Sequence, residues 1–391
     1  MSALWIGNGR VVLPDRIIDQ GSVLVEDGKI AALNIPCPEG AERVDAMGGW
    51  IMAGFIDIHV HGGGDADFMD ESTEAFHAAA KAHCAHGTTA IVPTTMTCAD
   101  ELLESVIDTF LEARKEPCEG AELLGLHLEG PFFSAASKGA QPISEQRIPT
   151  RDVLERILKR AQGTILRWDM APEIGGMDVF AQVMRENGVL ASVAHTAATA
   201  TQALQAFDSG FSHVTHFYNA TSTFHKVNGI VHSGVIEATY IRDDVTIELI
   251  GDGCHIPRES MLLAHRIKGA DRICLITDAM RAAGTNDTHS VLGPRKNGVP
   301  VVVKDDVAQL MDLSSYAGSI ATMDRALRVA HVRYGLPLCE VSRMLSLTPA
   351  RLCGVEERKG SLECGKDADV VVLTPDFQVE NVFVRGKRFS A

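Results

Sequence analysis

The central feature of this sequence is the segment Gly54-Phe55-Ile56-Asp57-Ile58-His59-Val60-His61-Gly62-Gly63-Gly64-Asp65, in which an apolar run is followed by two histidines and three glycines. Side chains alternate between the two faces of a strand, so His59 and His61 are predicted to point to the same side. The glycines allow a tight turn directly afterwards and leave space beside the two rings. Two neutral imidazoles at a strand end suit a divalent metal ion, although ordinary surface or core histidines would have the same spacing.

The sequence that follows this segment alternates between buried-looking strands and helical patterns. Strands are predicted near 55–59, 89–92, 123–128, 166–170, 190–194, 212–215, 246–250 and 272–277. Helical patterns between them include Ser72 to His86, Ala99 to Lys115, Met177 to Asn187 and Thr199 to Asp208, and glycines at 87 and 188 follow two of these. Such alternation predicts the α/β class with a parallel sheet, and eight strands favour a TIM-type (β/α)8 barrel. The alternative is an open, doubly wound sheet.

The two ends of the chain predict a second, smaller unit. Residues 1–53 contain short strands with a hairpin signal at Glu26-Asp27-Gly28-Lys29, and residues 356–391 contain two further strands after a turn-rich segment. Neither end has enough apolar residues for a core of its own. We therefore expect residues 1–53 and 356–391 to form one small β-sandwich domain, and residues 54–355 to form the barrel.

The composition limits the classes of protein and of partner. A chain of 391 residues, 46% hydrophobic and 22% charged, is long enough for a barrel with an appended domain. The formal net charge of -15 argues against a nucleic acid partner, and no apolar run approaches the roughly 20 residues of a membrane span. Met1 to Trp5 do not resemble a secretory signal. The nine scattered cysteines form no Cys-x-x-Cys pair, which indicates reduced thiols and a cytoplasmic location. Cys254 is notable because it precedes a candidate site residue.

Ionisable residues follow most of the predicted strands, at the edge where a barrel of this kind carries its reactive groups. Besides the first histidine pair, they are Glu129, His195, His216, His255 and Asp278. Each one alone has an ordinary explanation, such as a hydrogen-bonded core histidine or a helix cap. Together they form a ring of ligands whose burial would be very unfavourable without a cation to pair them. The sequence therefore predicts a metal site at this edge.

The remaining histidines in this part of the chain have simpler interpretations. Residues His77, His83 and His86 lie within one helical pattern and are predicted to be surface or packing residues. His127 and His213 lie inside predicted strands and are predicted to be structural.

These residues resemble the amidohydrolase superfamily, and within it the N-acetylglucosamine-6-phosphate deacetylases. The shared motifs occur in the family's order and run nearly from end to end: Gly-Phe-Ile-Asp-Ile-His-Val-His-Gly, His-Leu-Glu-Gly-Pro-Phe, the two separated histidines, Asn219-Ala220, Asp-Gly-Cys-His, Thr-Asp-Ala-Met and Ala317-Gly318-Ser319. The resemblance implies a metal-dependent barrel with a small β-domain and a homodimeric assembly.

The resemblance also implies roles for individual residues. Glu129, His195 and His216 would bind one metal ion, and His59 and His61 would bind a second one with Glu129 shared. Zinc fits such ligands, and iron, manganese or cobalt would also be accepted. Asp278 matches the family's general acid/base, and His255 matches a residue that contacts the substrate or its carbonyl. The matching substrate-binding positions are Ala140, Gln141, Asn219, Ala220, Lys226, His255, Ala317 and Gly318.

Two of these positions depart from the family pattern. Gln141 stands where the family commonly has a histidine, so it can bind a sugar hydroxyl but cannot carry positive charge. The segment Lys226-Val227-Asn228-Gly229, one residue shorter, replaces an Arg-Glu-Pro-Gly motif whose arginine grips the substrate phosphate, often from the neighbouring subunit. Lys226 offers phosphate a point charge without the two-pronged arginine geometry, and His225 could assist it.

The expected function is therefore hydrolysis of the N-acetyl group of a small-molecule amino sugar phosphate. The leading substrate is N-acetylglucosamine 6-phosphate, which would give glucosamine 6-phosphate and acetate. The alternatives are an N-acetylgalactosamine 6-phosphate, or an amidohydrolase substrate of another kind, such as a cyclic amide or an N-acyl amino acid. A non-catalytic barrel scaffold would be expected to have lost ligands or Asp278, and the sequence retains them all.

Overall fold

The computed structural model describes residues 3–116 and 118–390 of the chain. Met1, Ser2 and Ala391, which belong to the predicted terminal domain, lie outside the described residues, as does Pro117.

The strands and helices are numbered here in chain order. The strands are β1 (Leu4–Val12), β2 (Ile17–Glu26), β3 (Lys29–Leu33), β4 (Glu42–Asp45), β5 (Trp50–Ala53), β6 (Phe55–Val60), β7 (Gly62–Gly63), β8 (Ala66–Asp67), β9 (Thr88–Pro93), β10 (Glu122–Leu123), β11 (Leu126–Phe132), β12 (Ile165–Met170), β13 (Leu190–Val193), β14 (His213–Val214), β15 (His225–Val227), β16 (Ile230–His232), β17 (Thr246–Ile250), β18 (Ile273–Ile276), β19 (His289–Leu292), β20 (Val299–Lys304), β21 (Val307–Leu310), β22 (Val370–Leu373), β23 (Val379–Val384) and β24 (Lys387–Arg388). The α-helices are α1 (Thr73–Cys84), α2 (Asp100–Ala113), α3 (Arg151–Ala161), α4 (Met177–Asn187), α5 (Ala200–Asp208), α6 (Val235–Tyr240), α7 (Arg258–Lys268), α8 (Met323–Leu327), α9 (Leu338–Ser342) and α10 (Thr348–Leu352). Two π-helical segments, Arg328–Arg333 and Arg343–Leu347, continue α8 and α9.

Parallel strands joined by helices make up the middle of the chain. One sheet has the order β11-β12-β13-β14-β17-β18, and a second has the order β10-β9-β6. All pairs within these two sheets are parallel. Every residue of β6 and β9 is buried, as expected for parallel strands that are covered on both faces. The predicted α/β class is therefore confirmed.

Two isolated bridges connect the parallel sheets to each other. Val60 of β6 pairs with Ala279, which follows β18, and Thr94, which follows β9, pairs with His127 of β11. Both bridges are parallel. They place the ends of β6, β9, β11 and β18 side by side.

The local signals for helices and turns agree with the structure in most places. Thr199 caps α5 in a capping box with Gln202, and α4 ends on Gly188 in the left-handed conformation, with φ +66°. Helix α1 ends at Cys84, so Gly87, with φ +89°, serves the turn into β9 rather than the helix end itself. The predicted helices are otherwise present with small differences at their ends.

One strand differs from the prediction in a way that affects the site. The predicted strand 123–128 is divided into β10 and β11, and β11 continues to Phe132, so Glu129 lies within the strand instead of closing it. The pairing of β11 with β12 has an irregularity between Leu128 and Phe132, where Gly130 has φ +101°. The pairing resumes beyond the glutamate, where Phe132 pairs with Met170.

Both ends of the chain contribute to a third sheet. Its order is β24-β23-β22-β5-β1-β2-β3, with β4 paired to β1. The predicted hairpin joins β2 to β3 through Asp27 and Gly28, both with positive φ as a type I′ turn requires. Its buried apolar cluster includes Ile6, Val11 and Val370, so residues from the two termini share one core.

The sequence did not reveal an antiparallel sheet formed by β19, β20 and β21. This sheet packs through Leu292 and Val301 against Met96 and Met280, and it is inserted between the last parallel strand and the segment Ala317-Gly318. The antiparallel sheet forms an additional wall above the parallel strands.

None of the helices in the described part of the chain combines the length and apolar character of a bilayer crossing.

Candidate metal centre and active site

The ionisable residues that follow the parallel strands surround one cavity of about 160 Å³. Of the residues predicted from the strand ends, the cavity is lined by His61, Glu129, His195, His216, His255 and Asp278. His59 is fully buried directly beside them. The structure therefore brings together groups that are up to about 220 residues apart in the chain, between His59 and Asp278.

The tightest cluster consists of Glu129, His195 and His216. The Nε2 atoms of His195 and His216 lie 3.0 Å and 3.1 Å from Oε1 of Glu129, and 3.1 Å from each other. Three atoms bound about 2.0–2.1 Å from one zinc ion at tetrahedral angles would be separated by about 3.4 Å. The separations therefore fit three ligands of one divalent cation with a small expansion.

A second group consists of His59, His61 and Glu129, whose donor atoms also lie within 4.8 Å of one another. Nε2 of His61 lies 3.4 Å from Oε2 of Glu129, and Nε2 of His59 lies 3.8 Å from Oε1. Nε2 of His59 is buried and has no hydrogen-bond partner. A buried imidazole nitrogen with an unused lone pair among carboxylates fits a metal ligand, and Glu129 could serve both groups with its two oxygens.

Hydrogen bonds to the other ring nitrogen orient three of these histidines. Nδ1 of His195 donates to the carbonyl of Ser137 at 2.9 Å, and Nδ1 of His216 donates to the carbonyl of Asn219 at 3.1 Å. Nδ1 of His59 lies 3.0 Å from the carboxylate of Glu248. Because these acceptors hold the proton on Nδ1, each Nε2 keeps its lone pair and can bind a metal ion through it.

Unusual backbone conformations turn three site residues into the cavity. His195, His216 and Asp278 have φ values of +43°, +30° and +50°, a region that residues other than glycine rarely adopt. Asp278 is held there because its N–H donates to the carbonyl of His59 and its carbonyl accepts from Ser319. The chain bends at these points instead of continuing the strands, and this explains why His195 and His216 lie beyond the ends of β13 and β14.

The charges of the cluster stabilise one another. Burial opposes the charged forms of His61 and His216, but hydrogen bonds and charges from Asp278 and Glu129 raise the pKa of each histidine to about 9. Burial also opposes ionisation of Glu129, yet hydrogen bonds from His195 and His216 hold its pKa well below its usual range. A bound cation would replace these protons as the partner of the carboxylate.

His255 occupies a separate part of the cavity wall. Its Nδ1 lies 2.7 Å from Oδ2 of Asp252, whose other oxygen accepts from the His255 backbone N–H at 2.9 Å. This arrangement leaves Nε2 as the nitrogen available to a ligand. The ring of Tyr316 packs against it at a centroid distance of 4.7 Å. Leu292 of β19 also lines the cavity, as do Ser315 and Tyr316 from the segment that follows β21, and sequence reasoning missed all three.

The substrate-binding positions implied by the resemblance fall into two groups in the structure, those that line the cavity and those that do not. Ala140, Gln141, Asn219, Ala220 and Gly318 line the cavity together with His255. Ala317 is instead fully buried beside the cavity wall, and Lys226 is exposed on the β15–β16 hairpin. Among the described residues that line the cavity there is no lysine or arginine.

Gln141 has a role that the sequence did not predict. Its Nε2 donates to Oε2 of Glu129 at 2.7 Å, and its Oε1 accepts from the backbone N–H of Thr97 at 2.9 Å. The amide is therefore engaged with a candidate metal ligand in addition to lining the cavity.

The histidines interpreted as structural have internal partners. Nε2 of His83 lies 2.9 Å from the carbonyl of Gly62, and burial lowers the pKa of His83 to about 4, so the ring is neutral. His127 and His213 are buried in a polar cluster with Arg167, Asp169 and Glu248. Sequence reasoning missed this cluster, although charged residues inside the apolar strands β12 and β17 were a visible signal.

Comparison with known proteins places the chain in a family. A model of the amidohydrolase family matches residues 50–389. The chain therefore belongs to the amidohydrolase family.

The names of individual relatives are more specific than that of the family. The chain is 33% identical to an N-acetylglucosamine-6-phosphate deacetylase of Bacillus subtilis (strain 168), over 98% of this chain and 96% of the relative. It is 31% identical to an N-acetylgalactosamine-6-phosphate deacetylase of Escherichia coli O157:H7, over 97% of this chain and 98% of the relative. The structure of a mutant N-acetyl-D-glucosamine-6-phosphate deacetylase of Mycobacterium smegmatis, in complex with N-acetyl-D-glucosamine-6-phosphate, matches with a TM-score of 0.91 at 28% identity and covers both chains completely. The resemblance to the N-acetylglucosamine-6-phosphate deacetylase family is confirmed.

Proposed function

We propose that this protein is a metal-dependent deacetylase that hydrolyses N-acetylglucosamine 6-phosphate to glucosamine 6-phosphate and acetate. The observation that carries the proposal is the convergence of Glu129, His195 and His216 beside Asp278 in one cavity. The similarity to named deacetylases over nearly the whole chain supports the same activity.

The proposed architecture is a closed (β/α)8 barrel with a β-sandwich domain. Closure is supported by two bridges between the parallel sheets: Val60–Ala279 joins β6 to the segment after β18, and Thr94–His127 joins the residue after β9 to β11. The domain boundaries 1–53 with 356–391, and 54–355, are supported by the terminal sheet, whose strands come from both ends of the chain. In such a barrel the cavity lies at the C-terminal ends of the strands, where catalytic residues are found.

The proposed ligands of the first metal ion are Glu129, His195 and His216, and those of the second are His59, His61 and Glu129. Zinc is the leading ion, because imidazole and carboxylate donors suit it, and iron, manganese and cobalt remain alternatives. When bound, such an ion would polarise the amide carbonyl and lower the pKa of water toward 7.

The chain's own residues then move the protons. Asp278 is ionised at neutral pH, because although burial opposes ionisation, the charge of His59 and the hydrogen bond and charge of His61 lower its pKa. It can take a proton from the attacking water and pass it to the amide nitrogen as the C–N bond breaks. His255 donates from Nδ1 to Asp252, and in its doubly protonated form it can also donate from Nε2 to the oxygen that becomes negative at the carbonyl carbon.

No lysine or arginine is among the described residues that line the cavity, so a cation for the substrate phosphate has to come from another part of the protein. We propose that Lys226 supplies it across a homodimer, with the β15–β16 hairpin at the contact between two copies. The exposed side chains of Phe224, Ile230 and Val231 on and beside this hairpin support burial in such a contact. Lys226 is itself exposed, so it is available to a neighbouring subunit.

An N-acetylgalactosamine 6-phosphate is the second candidate substrate. It is favoured by the similarity to the galactosamine deacetylase at 31% identity, which is close to that of the glucosamine relative. The two sugars differ at one hydroxyl, so the same centre could act on either.

We propose a cytoplasmic location for the enzyme, because the scattered cysteines are unpaired.

The test is a hydrolysis panel with metal content measured in the same preparation. Acetate release from N-acetylglucosamine 6-phosphate, N-acetylgalactosamine 6-phosphate and unphosphorylated N-acetylglucosamine is compared for the wild type and Glu129→Gln. We expect the highest kcat/KM for the first sugar and no turnover by the variant. Absence of acetate from both phosphorylated sugars, with the metal site filled, would contradict the proposed function. Equal kcat/KM with and without phosphate would contradict the phosphate site alone.

A further inference from the structure

A cluster of buried charges lies directly beneath the candidate metal centre and has no part in the mechanism above. Arg167 and Asp169 come from β12, and Glu248 comes from the middle of β17. Glu248 and Asp169 are 0% exposed and Arg167 is 3% exposed. Buried charges of this kind are unfavourable for stability unless they are paired, and apolar replacements are often no less stable. Their presence in the middle of apolar strands points to another role.

The contacts of Glu248 reach both groups of candidate ligands. Its Oε2 lies 3.0 Å from Nδ1 of His59 and accepts the backbone N–H of His216 at 3.1 Å. Its Oε1 accepts from the guanidinium of Arg167, and Nε2 of His213 lies 3.6 Å from the same oxygen. One carboxylate therefore holds the ring of His59 and the main chain of His216.

The contact with His59 differs from those of the other two oriented histidines. His195 and His216 donate to backbone carbonyls, whereas His59 donates to a carboxylate whose position depends on a side chain. A carboxylate only accepts hydrogen bonds, so the proton stays on Nδ1 and the lone pair of Nε2 faces the centre. Nε2 of His59 is buried and has no hydrogen-bond partner, as a ligand position requires.

We propose that Glu248, held in place by Arg167, is a positioning residue that makes His59 a metal ligand. The inference rests on the proposed function only in that the centre binds a divalent cation. Without the carboxylate, the ring of His59 would lose its fixed orientation and the preference for the Nδ1 proton. The cation held by His59, His61 and Glu129 would then bind more weakly. Loss of a group that orients a metal-bound histidine typically weakens binding about 10–100-fold.

The experiment compares metal binding by the wild type, Glu248→Gln, Asp169→Asn and His59→Ala. Asp169→Asn is the matched control, because Asp169 is as buried as Glu248 but contacts His127 and Arg167 and no candidate ligand. Each protein is stripped with a chelator and titrated with Co²⁺, with visible absorption and metal content per chain as readouts. His59→Ala identifies the cation that depends on His59.

We expect Glu248→Gln to bind that cation about 10–100-fold more weakly than the wild type. We expect Asp169→Asn to bind it as tightly as the wild type does. The inference is overturned if Glu248→Gln binds as tightly as the wild type, if Asp169→Asn loses the cation to the same extent, or if His59→Ala retains the wild-type content.

If Glu248→Gln does not fold, the double variant Arg167→Gln/Glu248→Gln removes both members of the Arg167–Glu248 ion pair, while Asp169 keeps its contact with His127 at 2.8 Å. The same weakening is expected of it, and wild-type binding would overturn the inference. Acetate release is measured separately on each protein. Wild-type protein that binds metal but releases no acetate would contradict the proposed deacetylase, while the effect of Glu248 on metal binding would still stand.

Discussion

The substitution Asp278→Asn should remove turnover while leaving the metal centre intact. Residue 278 has φ +50°, a conformation that asparagine adopts as readily as aspartate, so the backbone should not be strained. The amide keeps the shape of the carboxylate, whose Oδ1 lies 3.3 Å from His61 and 3.5 Å from His59, but it cannot take up or release a proton. General acid–base catalysis contributes about 10²–10⁴-fold. At about 1.4 kcal/mol for each factor of ten, this corresponds to a barrier about 3–5 kcal/mol higher.

The assay is acetate release at saturating substrate, with metal content and thermal melting measured on the same samples. Asp65→Asn is a matched control, because Asp65 also has a positive φ, +63°, and is exposed to solvent away from the cavity lining. We expect its kcat to stay within about twofold of the wild type, since exposed ion pairs contribute little. If Asp278→Asn keeps its metal and a kcat within tenfold of the wild type, the proton-transfer role is refuted. Loss of metal would instead make Asp278 a ligand.

Three further predictions concern other residues. Gln141→Leu should weaken metal binding about 10-fold or more in a chelator competition, because Glu129 loses a donor at 2.7 Å; wild-type affinity would contradict this. Lys226→Ala should raise KM for the phosphorylated sugar about 10–100-fold and leave the unphosphorylated sugar unchanged, as loss of one charged contact implies; equal effects on both sugars would argue against phosphate binding. Although burial opposes ionisation of the Glu122 carboxyl group, Arg358 and Lys359 lower its pKa to about 2. The ionised carboxylate therefore stabilises the fold fully above pH 4.5, and this stabilisation disappears as the pH falls toward 2. Glu122→Gln should therefore lower the free energy of unfolding by about 2–3 kcal/mol at pH 7 and by much less at pH 3, measured by denaturant titration beside the exposed control Glu357→Gln.

Much of the fold could be predicted because its signals are local. Most of the parallel strands are predominantly apolar, such as β18, and some of the helices between them have clear caps, such as Thr199 with Gln202. The hairpin at Asp27-Gly28 was visible because a type I′ turn requires residues that accept positive φ. The antiparallel sheet β19–β21 was missed because its strands are short and only partly buried, so their alternation is weak.

The candidate ligands could be named from the sequence because histidine and carboxylate residues after apolar strands are rare and easily seen. Their roles in detail could not. Glu129 lies within β11 rather than at its end, and Gln141, expected to contact substrate, holds Glu129. Nothing in the local sequence indicates that Glu248 contacts His59, because the two residues are 189 positions apart.

The order of apolar and polar residues along the chain was thus sufficient to predict the class of fold, the approximate positions of most parallel strands and the set of candidate metal-binding side chains. These features depend on interactions within a few residues or on the chemistry of single side chains. The distances between donor atoms, the left-handed turns at His195, His216 and Asp278, and the choice of ring nitrogen that faces the centre all arose from packing. They depend on contacts between strands that are remote in sequence, and these contacts exist only once the sheets have assembled.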